Sequence, residues 1–339
     1  MITTKNTTNP KIWENFVSKH KEANFLQSYY HGITHQQVGK PVFFTSFHSS
    51  NKLIGVCLYI QENAKRARYL TVPGGPILNW KNKQLVQAWY KYSQQLAKKQ
   101  SCSFIRIRPQ ILNNSSNRKI FQSLKLFPSP MHLTADTTSQ LNLNKSLDQL
   151  LSQMRKSTRY EIKKATKLGI KVSTSINLKT VTSFYNLQLN TAKRQGFIPF
   201  SKSLFLSEFK AFRKNNQSFL YTAKHKNKIL SQALIIHYPT ETSYHFAAST
   251  LLNRQFPGTH ALLWQAIQDA KHKKISRFNF WGVIDPNQTN HRFFGVSVFK
   301  RGFGGQDINY LPAHDLIINP LKYIPNYIFE SLRKKLRHL

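Results

Sequence analysis

Acidic residues are scarce: 13 Asp+Glu stand against 50 Lys+Arg, a formal net charge of +37. A chain with so few carboxylates offers few general bases, and its field draws polyanions, so nucleic acid or a phosphate-rich substrate is the expected partner. A general lysine and asparagine bias would scatter the same charge without making a site. Cysteine is nearly absent. Cys57 and Cys102 are far apart, with no CxxC pair and no histidine cluster at ligand spacing, which excludes a disulfide scaffold and predicts no metal site. Both should pack as small apolar residues. Long apolar runs are missing too: none approaches the roughly 18 residues of a membrane span. The opening MITTKNTTNPKIWENF has no apolar signal region. The expectation is a soluble cytoplasmic protein whose charge suits peripheral contact with the anionic inner face of a membrane.

What is present is ample core material. Hydrophobic residues make up 40% and aromatics 13%, with 24 Phe and 14 Tyr, enough to offset chain entropy. A length of 339 residues suits two domains. Two halves share one order of elements. In the first, Val42–Phe47 and Leu53–Ile60 read as a hairpin, followed by a strand at Arg68–Val72, the turn Pro73-Gly74-Gly75-Pro76, an amphipathic helix over Gln84–Lys98 and a strand at Ser103–Ile107. In the second, Ser218–Ala223 and Ile229–His237 pair around Lys226-Asn227, then come Thr242–Ala248, the turn Arg254–Gly258, a helix over Thr259–His272 and a strand at Arg277–Trp281. This order resembles the GNAT acyltransferase fold, giving an α/β (α+β) class with two tandem domains and mostly antiparallel sheets. In that fold a glycine-rich turn at a helix N-terminus holds pyrophosphate. Here His260 stands where the pattern ends in Gly or Ala, which argues against coenzyme A.

Between the halves, Lys145–Gly169 reads as one basic helix. Leu147, Leu150, Leu151 and Met154 step along one face, then Thr158, Ile162 and Ala165, with Arg155, Lys156, Arg159, Lys163, Lys164 and Lys167 opposite. Its wording, Met154-Arg155-Lys156-x-x-Arg159-Tyr160-x-Ile162-x-Lys164-Ala165-x-x-x-Gly169, resembles the segment opening the second domain of Fem-type (FemABX) peptidoglycan aminoacyltransferases. Further similarities follow in the same order: Phe25-Leu26-Gln27-Ser28, Val72–Pro76, Tyr244–Ser249, Arg254, Trp264-Gln265-Ala266-Ile267, Phe278-x-Phe280-Trp281-Gly282 and Phe299-Lys300-x-Gly302-Phe303-Gly304-Gly305.

The resemblance implies a first domain of 1–144 plus 313–339, completed by the returning Ile317–Leu339, and a second of 145–312. It implies transfer of an amino acid from aminoacyl-tRNA, as co-substrate and without a cofactor, to the stem-peptide amine of lipid II or UDP-MurNAc-peptide. No heptad stretch suggests the coiled-coil arm of some members, and Tyr30–Thr34 lacks the lysine that others direct at the precursor diphosphate.

Aminolysis of an ester needs a neutral amine and a stabilised oxyanion. The motif points to Lys300 for that charge and to Phe299 as its support. Arg254 and Arg194 are candidate phosphate ligands, as are Arg155 and Arg159 on the basic helix. Tyr244, Trp281 and Gly75 are expected near substrate, and Asp285 is a candidate proton acceptor. His245 and His291 read as structural or solvent-facing. The alternatives are a GNAT enzyme with an acyl-CoA donor and a non-enzymatic protein binding RNA or membrane phosphate.

Overall fold

The computed structural model describes residues 1–336; residues 337–339, the end of the expected returning segment Ile317–Leu339, lie outside the described residues. The chain divides into two compact units, Met1–Asp136 with Asn309–Leu339, and Thr137–Ile308. The opening segment carries β1 (Ile2–Asn6), α1 (Pro10–Val17), α2 (Tyr29–Gln37), β2 (Val42–Ser49), β3 (Lys52–Asn63), β4 (Arg68–Gly74), β5 (Ile77–Leu78), α3 (Lys83–Lys99), β6 (Phe104–Pro109), α4 (Ser115–Ser123) and β7 (Phe127–Pro128). The second unit carries β8 (Thr137–Asn142), α5 (Leu147–Ser152), α6 (Lys156–Lys167), β9 (Lys171–Ser175), α7 (Leu178–Gln195), α8 (Lys202–Arg213), β10 (Ser218–His225), β11 (Lys228–Tyr238), β12 (Glu241–Ser249), α9 (Gly258–His272), β13 (Arg277–Gly282), α10 (Phe294–Arg301) and β14 (Gln306–Asn309). The chain then returns to the first unit as β15 (His314–Ile317) and α11 (Pro320–Leu336).

Among the described residues, the first sheet runs β1-β2-β3-β4-β6-β15-β7 with β5 beside β3, and the second β14-β8-β13-β12-β11-β10-β9. Both are mostly antiparallel, and each holds one parallel pair, β4 with β6 and β12 with β13. In each unit a helix, α3 or α9, crosses between the members of that pair, so the repeated order read from the sequence is a repeated topology. The likeness extends to backbone angles. Ser50 and Asn51 turn the first hairpin at φ 45° and 66°, Lys226 and Asn227 the second at φ 45° and 63°. Positive φ at both central residues is the turn that matches strand twist, and asparagine tolerates it.

Each core follows from the pattern of its crossing helix. On α3 the buried side chains include Leu85, Trp89 and Leu96, packed with Tyr59, Ile105 and Phe121. On α9 Leu262, Leu263, Ala266, Ile267 and Ala270 pack on Phe278, Phe280 and Phe303. Cys57 and Cys102 are buried in the first unit, and burial pushes their thiols up to about 12 and about 11.

Two expectations change. The units meet at 136/137 and 308/309 rather than at 144/145 and 312/313, because 137–142 is a strand that pairs with β13, Leu141 opposite Phe278. The basic segment is two helices, not one. Arg155 leaves the helical ladder to donate its N–H to Gly302 O at 2.9 Å, which separates α5 from α6.

The C-terminal return completes a charge cluster. Arg106 on β6 is buried and donates to both carboxylate oxygens of Asp315 on β15 at 2.9 Å, and to Glu330 on α11 at 2.8 Å. The Tyr323 hydroxyl donates to Asp315 at 3.0 Å. Without β15 and α11 this guanidinium would be a buried cation lacking both carboxylates, a strongly destabilising arrangement.

Candidate active site of the second unit

The parallel pairs differ between the units. β4 and β6 stay in register over five residues, from Leu70 opposite Ile105 to Gly74 opposite Pro109. β12 and β13 pair only at Thr242 with Phe278 and Ser243 with Asn279. Beyond that point their carboxyl halves separate, and both strands bulge there. On β12 the register against β11 shifts so that Ile235 faces Tyr244 and Leu234 faces Phe246, which leaves His245 as the extra residue. On β13 the register against β8 shifts between Asn279 and Gly282. Asn279 shapes that bulge, its side-chain oxygen accepting the Trp281 N–H at 2.8 Å. Trp281 itself sits at φ +68°, a left-handed conformation that is costly for an aromatic residue and is found where surroundings enforce it, often at functional sites. Bulges concentrate at such places because they re-aim side chains.

Lys300, near the end of α10, reaches this opening. It is 9% exposed, and its ammonium donates to Gly282 O at 2.6 Å. Among the described residues no carboxylate pairs with it, and burial pushes its pKa down to about 8. Two neighbours fasten α10 to the same segment: Ser297 accepts the Ile284 N–H at 3.0 Å, and Arg301 donates to Ile284 O while holding Asp307 at 2.7 Å. Phe299 turns to the core, edge-on to His260 at 5.0 Å and to Phe303 at 5.4 Å.

The glycines after Lys300 serve close packing. A Cβ on Gly302 would lie 2.6 Å from Thr158 Oγ1, and one on Gly304, which sits at φ +82°, would lie 2.9 Å from Gln153 O. The motif is therefore a helix carrying the lysine, followed by a glycine run locked against the α5–α6 break.

On β12, the bulged His245 places Nε2 3.0 Å from Glu208 of α8, both side chains being nearly buried. The Trp281 ring lies edge-on to His245, centroids 5.4 Å apart. Nothing in the sequence links this pair, since Glu208 and His245 are 37 residues apart and no spacing rule joins them. The visible signal was a glutamate among the apolar positions of α8, where it is buried.

The other expected site residues disperse. Tyr244 faces the core, and burial raises its phenol. Arg194 donates to Ser249 O at 2.9 Å, at the end of β12. Arg159 donates to Ser152 O at 3.0 Å and to Met154 O, closing the C-terminus of α5. Arg155 donates to Ser157 at 2.8 Å; with burial, its charge helps push His260 down to about 4. Asp285 is exposed and accepts the Asn287 N–H at 2.8 Å in a turn. Gly75 lies in the first unit, where a Cβ would strike the Gln27 carboxamide at 2.3 Å.

Arg254 is exposed at the end of a short 3-10 turn before α9. Two of the leading N–H groups of that turn are occupied: the Gly258 N–H bonds Phe256 O at 2.7 Å and the Thr259 N–H bonds Asn253 Oδ1 at 2.9 Å. The His260 ring packs on Phe303 as well. Gly258 is tight: a Cβ there would sit 2.5 Å from Leu230 Cβ. Gly258→Ala should therefore lower stability by about 1–3 kcal/mol through overpacking, read as an earlier midpoint in urea with an unchanged slope.

Among the described residues no helix is long and apolar enough to cross a membrane, and no group of three or more His, Cys, Asp or Glu is placed to hold a metal.

Comparison with known proteins matches this architecture. The aminoacyltransferase FemA of Staphylococcus epidermidis is 27% identical over 123 residues, 36% of this chain and 29% of that protein's length. FemA of Staphylococcus aureus is 29% identical over 89 residues, 26% of this chain and 21% of its length. The chain thus aligns with less than a third of either relative. The crystal structure of FemX superposes with a TM-score of 0.86 at 16% identity, covering 95% of this chain and 98% of that one. A tandem GNAT protein from the clavulanic acid biosynthesis pathway gives 0.58 at 8% identity, covering 94% and 99%. A model of the FemAB family matches residues 8–223 and 205–330, nearly the whole length, and the chain belongs to the FemAB family.

Proposed function

We propose that this protein is an aminoacyltransferase that moves an amino acid from aminoacyl-tRNA to the stem-peptide amine of a peptidoglycan precursor, lipid-linked or nucleotide-linked, with the reaction at the parted ends of β12 and β13. The observation that carries the reading is Lys300: a buried ammonium with no carboxylate partner among the described residues, aimed at the carbonyl of Gly282. A cation left uncompensated in a dry setting is held for charge that arrives later.

The acceptor amine attacks the ester carbonyl. A C–N bond forms, and the carbonyl electrons move onto oxygen, where Lys300 stabilises them. The bond to the ribose oxygen then breaks. His245, oriented by Glu208, accepts the proton that the amine loses and returns it to the departing ribose oxygen. The occupied N–H groups at the start of α9 count against an acyl-CoA donor.

Incubating the protein with a pool of charged tRNAs and either lipid II or the nucleotide-linked muropeptide, then weighing the acceptor, tests the reading. The acceptor should gain the mass of an amino-acid residue. Folded protein that leaves the acceptor mass unchanged with every donor would overturn it.

A further inference from the structure

Helix α11 has two faces of different character. One is packed: Tyr323 and Asn326 are buried, and Glu330 reaches Arg106. The other points to solvent and is apolar. Leu321, Ile324, Ile328, Leu332 and Leu336 follow one another at steps of three or four residues and are 85%, 52%, 53%, 56% and 82% exposed. On a helix that spacing makes one continuous stripe, and a row of large exposed aliphatics is unusual for a surface with no partner.

The charges around the stripe decide what covers it. Lys322 and Arg333 are exposed along one edge of it, and the exposed Lys335 lies at its C-terminal end. The helix's one acid, Glu330, is turned inward to Arg106. A second copy of a chain carrying +37 would bring like charges together along this seam, whereas an anionic surface would meet complementary ones. An apolar stripe flanked by basic residues and free of outward acids is the pattern of a helix lying in the plane of a bilayer interface.

We propose that α11 docks this protein on an anionic phospholipid bilayer, Leu321, Ile324, Ile328, Leu332 and Leu336 entering the acyl boundary and Lys322, Arg333 and Lys335 meeting the headgroups. The inference stands apart from the transfer reaction, because binding is read without donor or acceptor.

The test is co-sedimentation of the full chain with vesicles of phosphatidylcholine alone and of phosphatidylcholine mixed with phosphatidylglycerol. The protein should partition onto the mixed vesicles. The combined variant Ile324→Ser, Ile328→Ser, Leu332→Ser keeps every charge and should lose about tenfold or more of that partition. In an otherwise unaltered chain, Ile328→Trp should shift its emission to the blue on mixed vesicles, which checks insertion by a single exposed change. A serine variant that sediments like the unaltered protein, or a tryptophan that stays water-like, would show that charge elsewhere does the binding and overturn the proposal. So would a dimer in vesicle-free solution that the serine variant converts to monomer, since a second copy would then cover the stripe.

Discussion

Lys300→Met should slow aminoacyl transfer by about 10²–10³-fold, the scale of losing one preorganised donor to a developing oxyanion, and should make the protein more stable. Both effects have one cause. The ammonium is buried without a carboxylate, and its pKa is pushed down to about 8, so the folded state holds a charge that water would solvate better. A displacement of that size from the ordinary lysine value corresponds to about 3 kcal/mol. Below pH 8 the buried lysine is charged and the cost is full. Between about 8 and the ordinary lysine value, the folded protein has released a proton that the unfolded chain still binds, so stability climbs with pH. Methionine keeps the bulk, removes the charge and abolishes that climb. Urea titrations of both proteins at pH 7 and at pH 9.5 read the stability arm; single-turnover transfer reads the other. Activity that needs the ammonium falls through about pH 8 relative to Lys300→Arg, whose cation persists. Were the lysine a base instead, that ratio would rise with pH.

The duplication and the order of elements were legible because they rest on local chemistry. Asn51 and Asn227 mark turns that need positive φ, and the apolar positions of α3 and α9 keep helical period. The separation of β12 from β13 was not legible, because it depends on two bulges, at His245 and at Phe280–Trp281, that arise from tertiary pairing rather than from any run of residue types. The break between α5 and α6 was hidden for a related reason. The stripe Leu147–Met154 resumes at Thr158, and what interrupts it is a carbonyl more than 140 residues later in the chain, that of Gly302. Lys300 stands out from the other lysines of the sequence only by its motif, and the motif says nothing of its burial. Arg159 looked like a phosphate ligand because its charge is visible in the sequence, whereas its bonds to Ser152 O and Met154 O are not.

The largest effect outside Lys300 is expected at His245. Its replacement by alanine should lower the transfer rate by about 10²–10⁴-fold, the range for a positioned acid–base group. The removed imidazole lies nearly buried, so the deletion leaves a space that free imidazole can enter. Added imidazole should restore part of the rate in a concentration-dependent manner, a response that a purely packing role would not give. Glu208 acts one step back: its carboxylate, 3.0 Å from Nε2, fixes which nitrogen carries the proton and favours the imidazolium that forms during transfer. Glu208→Gln preserves shape and one hydrogen-bonding oxygen but removes that charge. It should therefore cost less than His245→Ala, because the imidazole stays in place with a hydrogen-bonding partner beside it. Melting curves for the three proteins separate chemistry from folding. If His245→Ala retains full activity, the proton passes by another route and Lys300 alone defines the site; if it loses activity and imidazole restores none, the Glu208–His245 pair holds the β12 bulge open rather than moving a proton.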